Sequence, residues 1–231
     1  MLKNIKQEIL ANADPTRARN LARYFKTGKG QYAQGDKFLG LTVPQSRSIV
    51  KKYTNLPLID IRRLLQSKIH EERLIALLIL VHQFEKANNK DRKAIYNFYL
   101  KNTKYINNWD LVDLSAHKIV GAYLLDKDRK ILIKLAKSQD LWEKRISIIS
   151  TFTFIYHDQL EDSIKIAQIL LNDKHDLIHK AVGWVLREVG KKDQTVLVSF
   201  LTENIRQLPR TTLRYAIERF PEPLRQKYLK L

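Results

Sequence analysis

Apolar residues recur along most of this chain at intervals of three and four. The runs LIDIRRLLQS, RLIALLILVHQF, RKAIYNFYL, RKILIKLAKS, RISIISTFTFIY, SIKIAQILLND, LIHKAVGWVLREVG and TVLVSFLTENI all carry the pattern. Such spacing gathers the apolar side chains on one helical face. TFTFIY has a strand-like composition, but it continues a helical pattern with no turn signal, so helix is expected there too. Start signals agree: Asp14-Pro15, Pro44, Asp60, Asp126 and Pro209 stand where helices should open. Four of the seven glycines, Gly28, Gly30, Gly35 and Gly40, gather in TGKGQYAQGDKFLG, which reads as the one substantial loop. The expected class is all-α.

A longer period lies over the helical one. ERLIALL, KRISIIS, HKAVGWV and LRYAIER each set a basic residue (Arg73, Arg145, Lys180, Arg214) before alternating apolar and small positions. Arg73 and Arg145 stand 72 residues apart, two steps of 36, and steps of 35 and 34 follow. A two-helix unit of that length is the mark of a HEAT-like helical-repeat solenoid, an α-α superhelix. The missing copy falls in WDLVDLSAHKI. Aligning its Ala116 with Ala76 and Gly183 puts Asp113 in the basic slot. Stacked units line up equivalent positions along one concave surface, so a row of cations is expected there, interrupted by a single acid. A single domain over 1–231 accommodates such an array.

Charge narrows the partner. Lys and Arg total 42 against 24 Asp and Glu, a net charge of +18, and that excess favours a polyanion. There is no cysteine, which excludes disulfides and thiolate chemistry and suits a reducing cytoplasm. MLKNIKQEIL interrupts its apolar residues with charge and is no secretory signal. The longest apolar run, Leu74 to Val81, is too short to span a bilayer. The apolar faces are consumed by helix packing, which argues against a membrane surface. A cytoplasmic monomer is expected.

The chemistry-bearing residues cluster in NNWDLVDLSAH. With Asn107 or Asn108 as a cap, Asp110 falls in the first turn, where the helix dipole already favours a carboxylate. Asp113 lies a turn further in. It could pair with His117 or with a basic neighbour such as Arg145, or it could serve chemistry. Trp109 shares its face, four residues earlier. Trp142 and Arg145 are three apart, and Lys180, Trp184 and Arg187 follow one stripe. Cations interleaved with indoles suit a nucleic-acid strand. Gly28-Lys29-Gly30 lacks the spacing of a phosphate loop. His175 and His179 are spaced as metal ligands can be, but no third ligand accompanies them, so no metal or cofactor is expected.

NNWDLVD, LWEKR, GWVLRE, ARYFK and FLGLTVPQSR together resemble the AlkD-like DNA alkylation repair enzymes, DNA glycosylases built of HEAT-like repeats. The resemblance runs from about Arg17 to Arg219. It implies a C-shaped solenoid with a basic concave groove that holds double-stranded DNA and excises cationic N3- and N7-alkylated purines, the lesion staying stacked. By the same resemblance Asp113 is the catalytic aspartate, Trp109 and Trp184 the active-site tryptophans, and Arg145 the cleft arginine. Arg187 would bind the DNA backbone, Tyr24 would be the N-terminal aromatic contact, and Arg47 a further DNA contact, beside the row Arg73, Lys180 and Arg214.

Those residue types fit that reaction. An alkylated purinium is already a good leaving group and needs no general acid. The sugar, as it becomes an oxocarbenium cation, needs a fixed carboxylate to stabilise it and to orient water. One acid within a basic row meets that need. The alternative is a non-catalytic protein that binds distorted or branched DNA.

Overall fold

The computed structural model describes residues 1–231, and its regular elements are helices. The one β-type contact is an isolated pairing of Lys37 with Ile69. The all-α expectation holds. The chain divides into two compact units, Met1–Ser115 and Ala116–Leu231.

The first unit contains α1 (Leu2–Ala11), α2 (Pro15–Tyr24), α3 (Val43–Lys52), α4 (Leu58–Leu65), α5 (His70–Lys86), α6 (Asn89–Lys101) and α7 (Trp109–Asp113). Helix starts follow the sequence signals. The Asp14 side chain accepts the Arg17 amide at 2.9 Å, with Pro15 as the first residue of α2. Thr42 and Gln45 form a reciprocal capping box around Pro44 at the head of α3, and Asp60 lies in the first turn of α4. At the centre stands α5, buried along most of its length and packed by α1, α3, α4, α6 and α7. Its run Leu74 to Val81 is apolar on every face, so it must be covered on every face. Each Leu or Ile so buried stabilises by about 1.5–3 kcal/mol.

The glycine-bearing segment between α2 and α3 is the loop the sequence predicts. Its C-terminal end is fastened rather than loose. Glu71 of α5 is buried, and its carboxylate accepts the amides of Leu39 (3.0 Å), Gly40 (2.7 Å) and Leu41 (3.2 Å). Gly40 has φ +92°, and a Cβ there would meet the Asp14 carbonyl oxygen at 2.3 Å. Only glycine allows both that conformation and that approach.

The second unit opens with a π-helical turn, His117–Gly121. It continues with α8 (Ala122–Leu124), α9 (Lys130–Ala136), α10 (Leu141–Ser150), α11 (Phe152–Tyr156), α12 (Glu161–Ile169), α13 (Asp176–Lys192), α14 (Gln194–Asn204), α15 (Arg210–Ala216) and α16 (Glu222–Leu229). TFTFIY is helical, as its context predicts. Asp126 opens no helix. The next one starts at Lys130, whose amide is accepted instead by Asp128 at 2.7 Å.

α10, α13 and α15 pack side by side as one row, while α9 and α12 pack on each other and on α10 and α13. This is the two-layer stacking of a helical-repeat solenoid. Gly183 lets α13 and α15 approach closely, since a Cβ there would sit 2.5 Å from Tyr215 Cβ and 2.6 Å from the Thr212 oxygen. The period read from the sequence is a structural register: Arg145, Lys180 and Arg214 are each the fifth residue of their helix.

Candidate functional site

The site begins with a problem posed by α5. Its first four residues, His70, Glu71, Glu72 and Arg73, are all polar and all buried. Buried charge is costly unless it is paired and hydrogen-bonded, and each of the four has found partners. Glu71 takes the loop amides, and Glu72 accepts Lys6 Nζ at 2.7 Å. Arg73 donates to Asp36 Oδ2 (2.6 Å) and to the Ser67 carbonyl (2.9 Å). His70 presents Nε2 to Asp110 Oδ2 at 2.8 Å and Nδ1 to Asp36 Oδ2 at 3.4 Å.

This overturns one expectation. Arg73 belongs to the sequence period, but it is only 3% exposed and its guanidinium is committed to Asp36 and Ser67. It offers no face to a phosphate. The reason is local: α5 is enclosed on all sides, whereas the helices carrying Lys180 and Arg214 are not.

The His70 pocket leads to Trp109 through rings. His70 stacks on Phe38 with centroids 4.5 Å apart. Phe38 stacks on Phe25 at 5.0 Å, and Phe25 on Trp109 at 5.2 Å with only 15° between planes. Tyr24, 65% exposed at the end of α2, meets Trp109 edge to face at 6.0 Å. Trp109 is therefore a half-buried indole held on one face, with Tyr24 at its edge. Tyr24 and Trp109 are thus brought together.

Helix α7 is short and strongly fixed at its head. The Asn108 side chain accepts the Trp109 amide (2.8 Å), and its Nδ2 donates to Asp36 Oδ2 (3.3 Å). Asp110 Oδ1 accepts the Leu111 amide at 2.9 Å while Oδ2 faces His70. Asp110 thus does more than answer the helix dipole, which is all its sequence position suggests. Both of its oxygens join the head of α7 to the pocket.

Burial sets the protonation states in this pocket. It pulls the His70 imidazole down, yet the Asp110 charge and hydrogen bond, with the Asp36 hydrogen bond, outweigh it and raise the ring to about 9. For Asp36, burial pushes upward, but the His70 and Asn108 hydrogen bonds and the Arg73 and His70 charges leave it below its ordinary value.

Asp113 is the last residue of α7, and it is half-buried. A carboxylate at the carbonyl end of a helix gains nothing from the dipole, so helix formation does not account for it. Behind it, buried Tyr99 hydrogen-bonds Ser115 at 2.9 Å. Burial pushes the Tyr99 phenol far up, Ser115 draws it down, and the Asp113 charge adds to the rise. NNWDLVDLSAH is not one helix throughout. α7 stops at Asp113, and the π turn His117–Gly121 follows, its His117 carbonyl accepting the Thr153 hydroxyl at 2.5 Å. π turns recur at functional sites.

The second unit carries the remaining sequence candidates. Trp184 is half-buried against Phe152, with centroids 4.6 Å apart. Arg145 is 5% exposed and donates Nη1 to the Leu177 carbonyl at 2.6 Å, tying α10 to the start of α13. Lys180 pairs with Asp176 at 2.7 Å. Arg187 is faced by Glu188 at 3.3 Å and by Glu218. Arg214, in the second unit, and Arg47, in the first, are exposed. His175 and His179 serve the head of α13: His175 Nδ1 accepts the Leu177 amide (3.1 Å), and His179 Nε2 bonds the Asp173 carbonyl (2.5 Å).

Sequence reading missed Asp36, His70, Phe25 and Phe38. One signal was present. HEER heads the most apolar helix of the chain, and four polar residues there cannot all reach water.

Stacked helix pairs and a strongly basic composition define a helical-repeat protein suited to a polyanion. A model of the DNA alkylation repair enzyme family matches residues 5–220, and the chain belongs to that family. Its role is accordingly in DNA repair, with DNA as substrate. A solved structure described as a predicted DNA alkylation repair enzyme from Enterococcus faecalis shares the fold. Its TM-score is 0.72 at 16% identity, over 91% of this chain and 98% of that one. No curated protein matches the chain. No helix is long and apolar enough to cross a membrane.

Proposed function

We propose that the protein is a DNA glycosylase, acting as a monomer and without metal or cofactor, that hydrolyses the N-glycosidic bond of cationic N3- and N7-alkylated purines in duplex DNA. The bond between the base and C1′ breaks with its electron pair leaving on the purine, which becomes neutral. Water adds to C1′, and the proton it loses passes to the Asp113 carboxylate or to solvent. While the sugar is cationic, Asp113 stabilises it by charge, and the Trp109 indole face adds a cation–π contact of about 0.5–2 kcal/mol. Lys180, Arg187, Arg214 and Arg47 bind the DNA backbone, and Tyr24 adds an aromatic contact. By the family resemblance Trp184 serves as the second active-site tryptophan and Arg145 as the cleft arginine.

The observation that carries this reading is the placement of Asp113. Its half-buried carboxylate lies one turn from a restrained indole, where helix stability gives no reason for an acid. The test is release of N7-methylguanine or N3-methyladenine from methylated duplex DNA, in single turnovers with EDTA present. Wild-type protein is expected to release base. Asp113→Asn should lose about 2.7–4 kcal/mol of barrier stabilisation, roughly a hundredfold to a thousandfold in rate, while keeping its affinity for DNA. Unchanged release by Asp113→Asn would refute the role. Binding of bent or branched DNA with no release by the wild type would favour the non-catalytic reading.

A further inference from the structure

We propose that His70 is a positioning residue. Held between Asp110 and Asp36 and stacked on Phe38, it fixes both the ring stack under Trp109 and the first turn of α7, and so sets the indole and the Asp113 carboxylate. The inference rests on the glycosylase reading for its link to rate, but its geometric content is independent of that reading.

The argument starts from the two ring nitrogens. Nε2 faces Asp110 Oδ2 at 2.8 Å and Nδ1 faces Asp36 Oδ2 at 3.4 Å. Only the imidazolium donates at both positions; a neutral ring would keep its N–H on Asp110 and turn a bare Nδ1 to the Arg73 guanidinium, 3.5 Å away. The groups around it belong to three elements: Asp110 at the head of α7, Asp36 in the loop before α3, and Arg73 one turn along α5, which itself pairs with Asp36. Glu71, next in sequence, spends its carboxylate on the loop amides. The remaining neighbours are the Phe38 face at 4.5 Å and Phe25 at 5.1 Å. Aromatic faces favour a cation over a neutral ring.

His70 therefore adds a second link beside the Asn108–Asp36 hydrogen bond. It ties the loop, through Asp36, to α7, through Asp110. It also sits at the far end of a stack that runs Phe38, Phe25, Trp109. Deprotonation leaves the ring one N–H, kept on Asp110 at 2.8 Å, and costs the link to Asp36. Removing the ring costs both links and takes the imidazole donor from Asp110, which retains the Leu111 amide. The head of α7 is then free to shift, and Asp113 lies one turn away on that five-residue helix. Displacing a reacting group by about 1 Å can cost on the order of a hundredfold in rate.

The test follows His70 and Trp109 in the intact protein. The His70 imidazole is observed by NMR across pH 6 to 10, assigned by its loss in His70→Gln. Trp109 emission is followed over the same range, isolated by difference against Trp109→Phe. The expected result is a single transition near pH 9 in both signals, with the single-turnover rate falling through it. In His70→Gln, assayed well below its melting temperature, release should be about tenfold to a hundredfold slower, with KM little changed and no Trp109 transition. Phe38→Leu breaks the stack without altering charge, so it should shift Trp109 emission while leaving the imidazole transition in place. The proposal is overturned if the imidazole titrates at or below its ordinary value, if Trp109 emission stays flat through the imidazole transition, or if folded His70→Gln releases base at the wild-type rate. If the wild type releases no base at all, the glycosylase reading fails, and the paired NMR and emission titrations still decide the role of His70.

Discussion

At the scale of single residues, the first unit is organised by charges that cannot reach water. His70, Glu71, Glu72 and Arg73 open a helix enclosed on every side, and each is answered by a partner distant in the chain. Stability should therefore follow pH in a definite way. His70 has its pKa raised in the folded state to about 9, from 6.5. Its contribution is complete below 6.5 and is lost as pH climbs through 9. At 1.36 kcal/mol per unit, the decline is on the order of 3 kcal/mol. Asp36 is lowered from 3.8, so its contribution holds above that value and is lost as pH falls through its folded pKa. Urea unfolding at pH 6, 7.5 and 9 should show midpoints dropping towards the alkaline end, and His70→Gln should flatten that slope. Equal midpoints in the wild type would mean that the imidazole is neutral in the fold. The sequence could not disclose these pairs, because Asp36, His70 and Asp110 lie 34 and 40 residues apart in turn. Local spacing exposed Trp109 and Asp113, which share a helix face, but carries no information on contacts of that range.

At the scale of elements, the helices were legible because they are built on amphipathic faces and marked by caps. Asp14-Pro15, Pro44 and Pro209 fall at or beside observed helix starts. The π turn at His117–Gly121 was not legible. Its residues suit an ordinary helix, and what distinguishes it is tertiary: the Thr153 hydroxyl on the His117 carbonyl, and Gly121 pressed against the Ser150 carbonyl. The small residue at the repeat position of α13 was visible in sequence, and the structure explains it. Gly183 sits where any Cβ would press on the backbone of α15. Gly183→Ala brings two opposed effects. Alanine improves helix propensity by about 1 kcal/mol, while forcing a methyl into close packing costs about 1–3 kcal/mol. The neighbour at 2.6 Å is a backbone oxygen, which cannot rotate aside, so crowding should win. A lowered urea midpoint for Gly183→Ala is expected, and a raised one would show α13 and α15 free to move apart.

At the scale of the whole molecule, the charge of +18 is an electrostatic resource only where the cations reach solvent. Arg73 and Arg214 answer to the same sequence period, yet the fold gives them opposite fates. Arg73 is buried on Asp36, while Arg214 is exposed in α15. Phosphate binding releases condensed counterions, so each contact adds about 0.9 to the slope of log affinity against log salt. Arg214→Ala should therefore reduce that slope by about one and weaken binding to any sequence alike, with the melting temperature little changed. Arg73→Met should do the reverse. Removing one partner of a buried pair costs about 3–5 kcal/mol of stability, but at a temperature where the variant is folded its salt slope should match the wild type. Titrating an unmodified duplex between about 50 and 200 mM salt with both variants separates the two kinds of cation. A slope lowered by Arg73→Met, or left intact by Arg214→Ala, would mean that the repeat register rather than burial selects the residues that meet DNA.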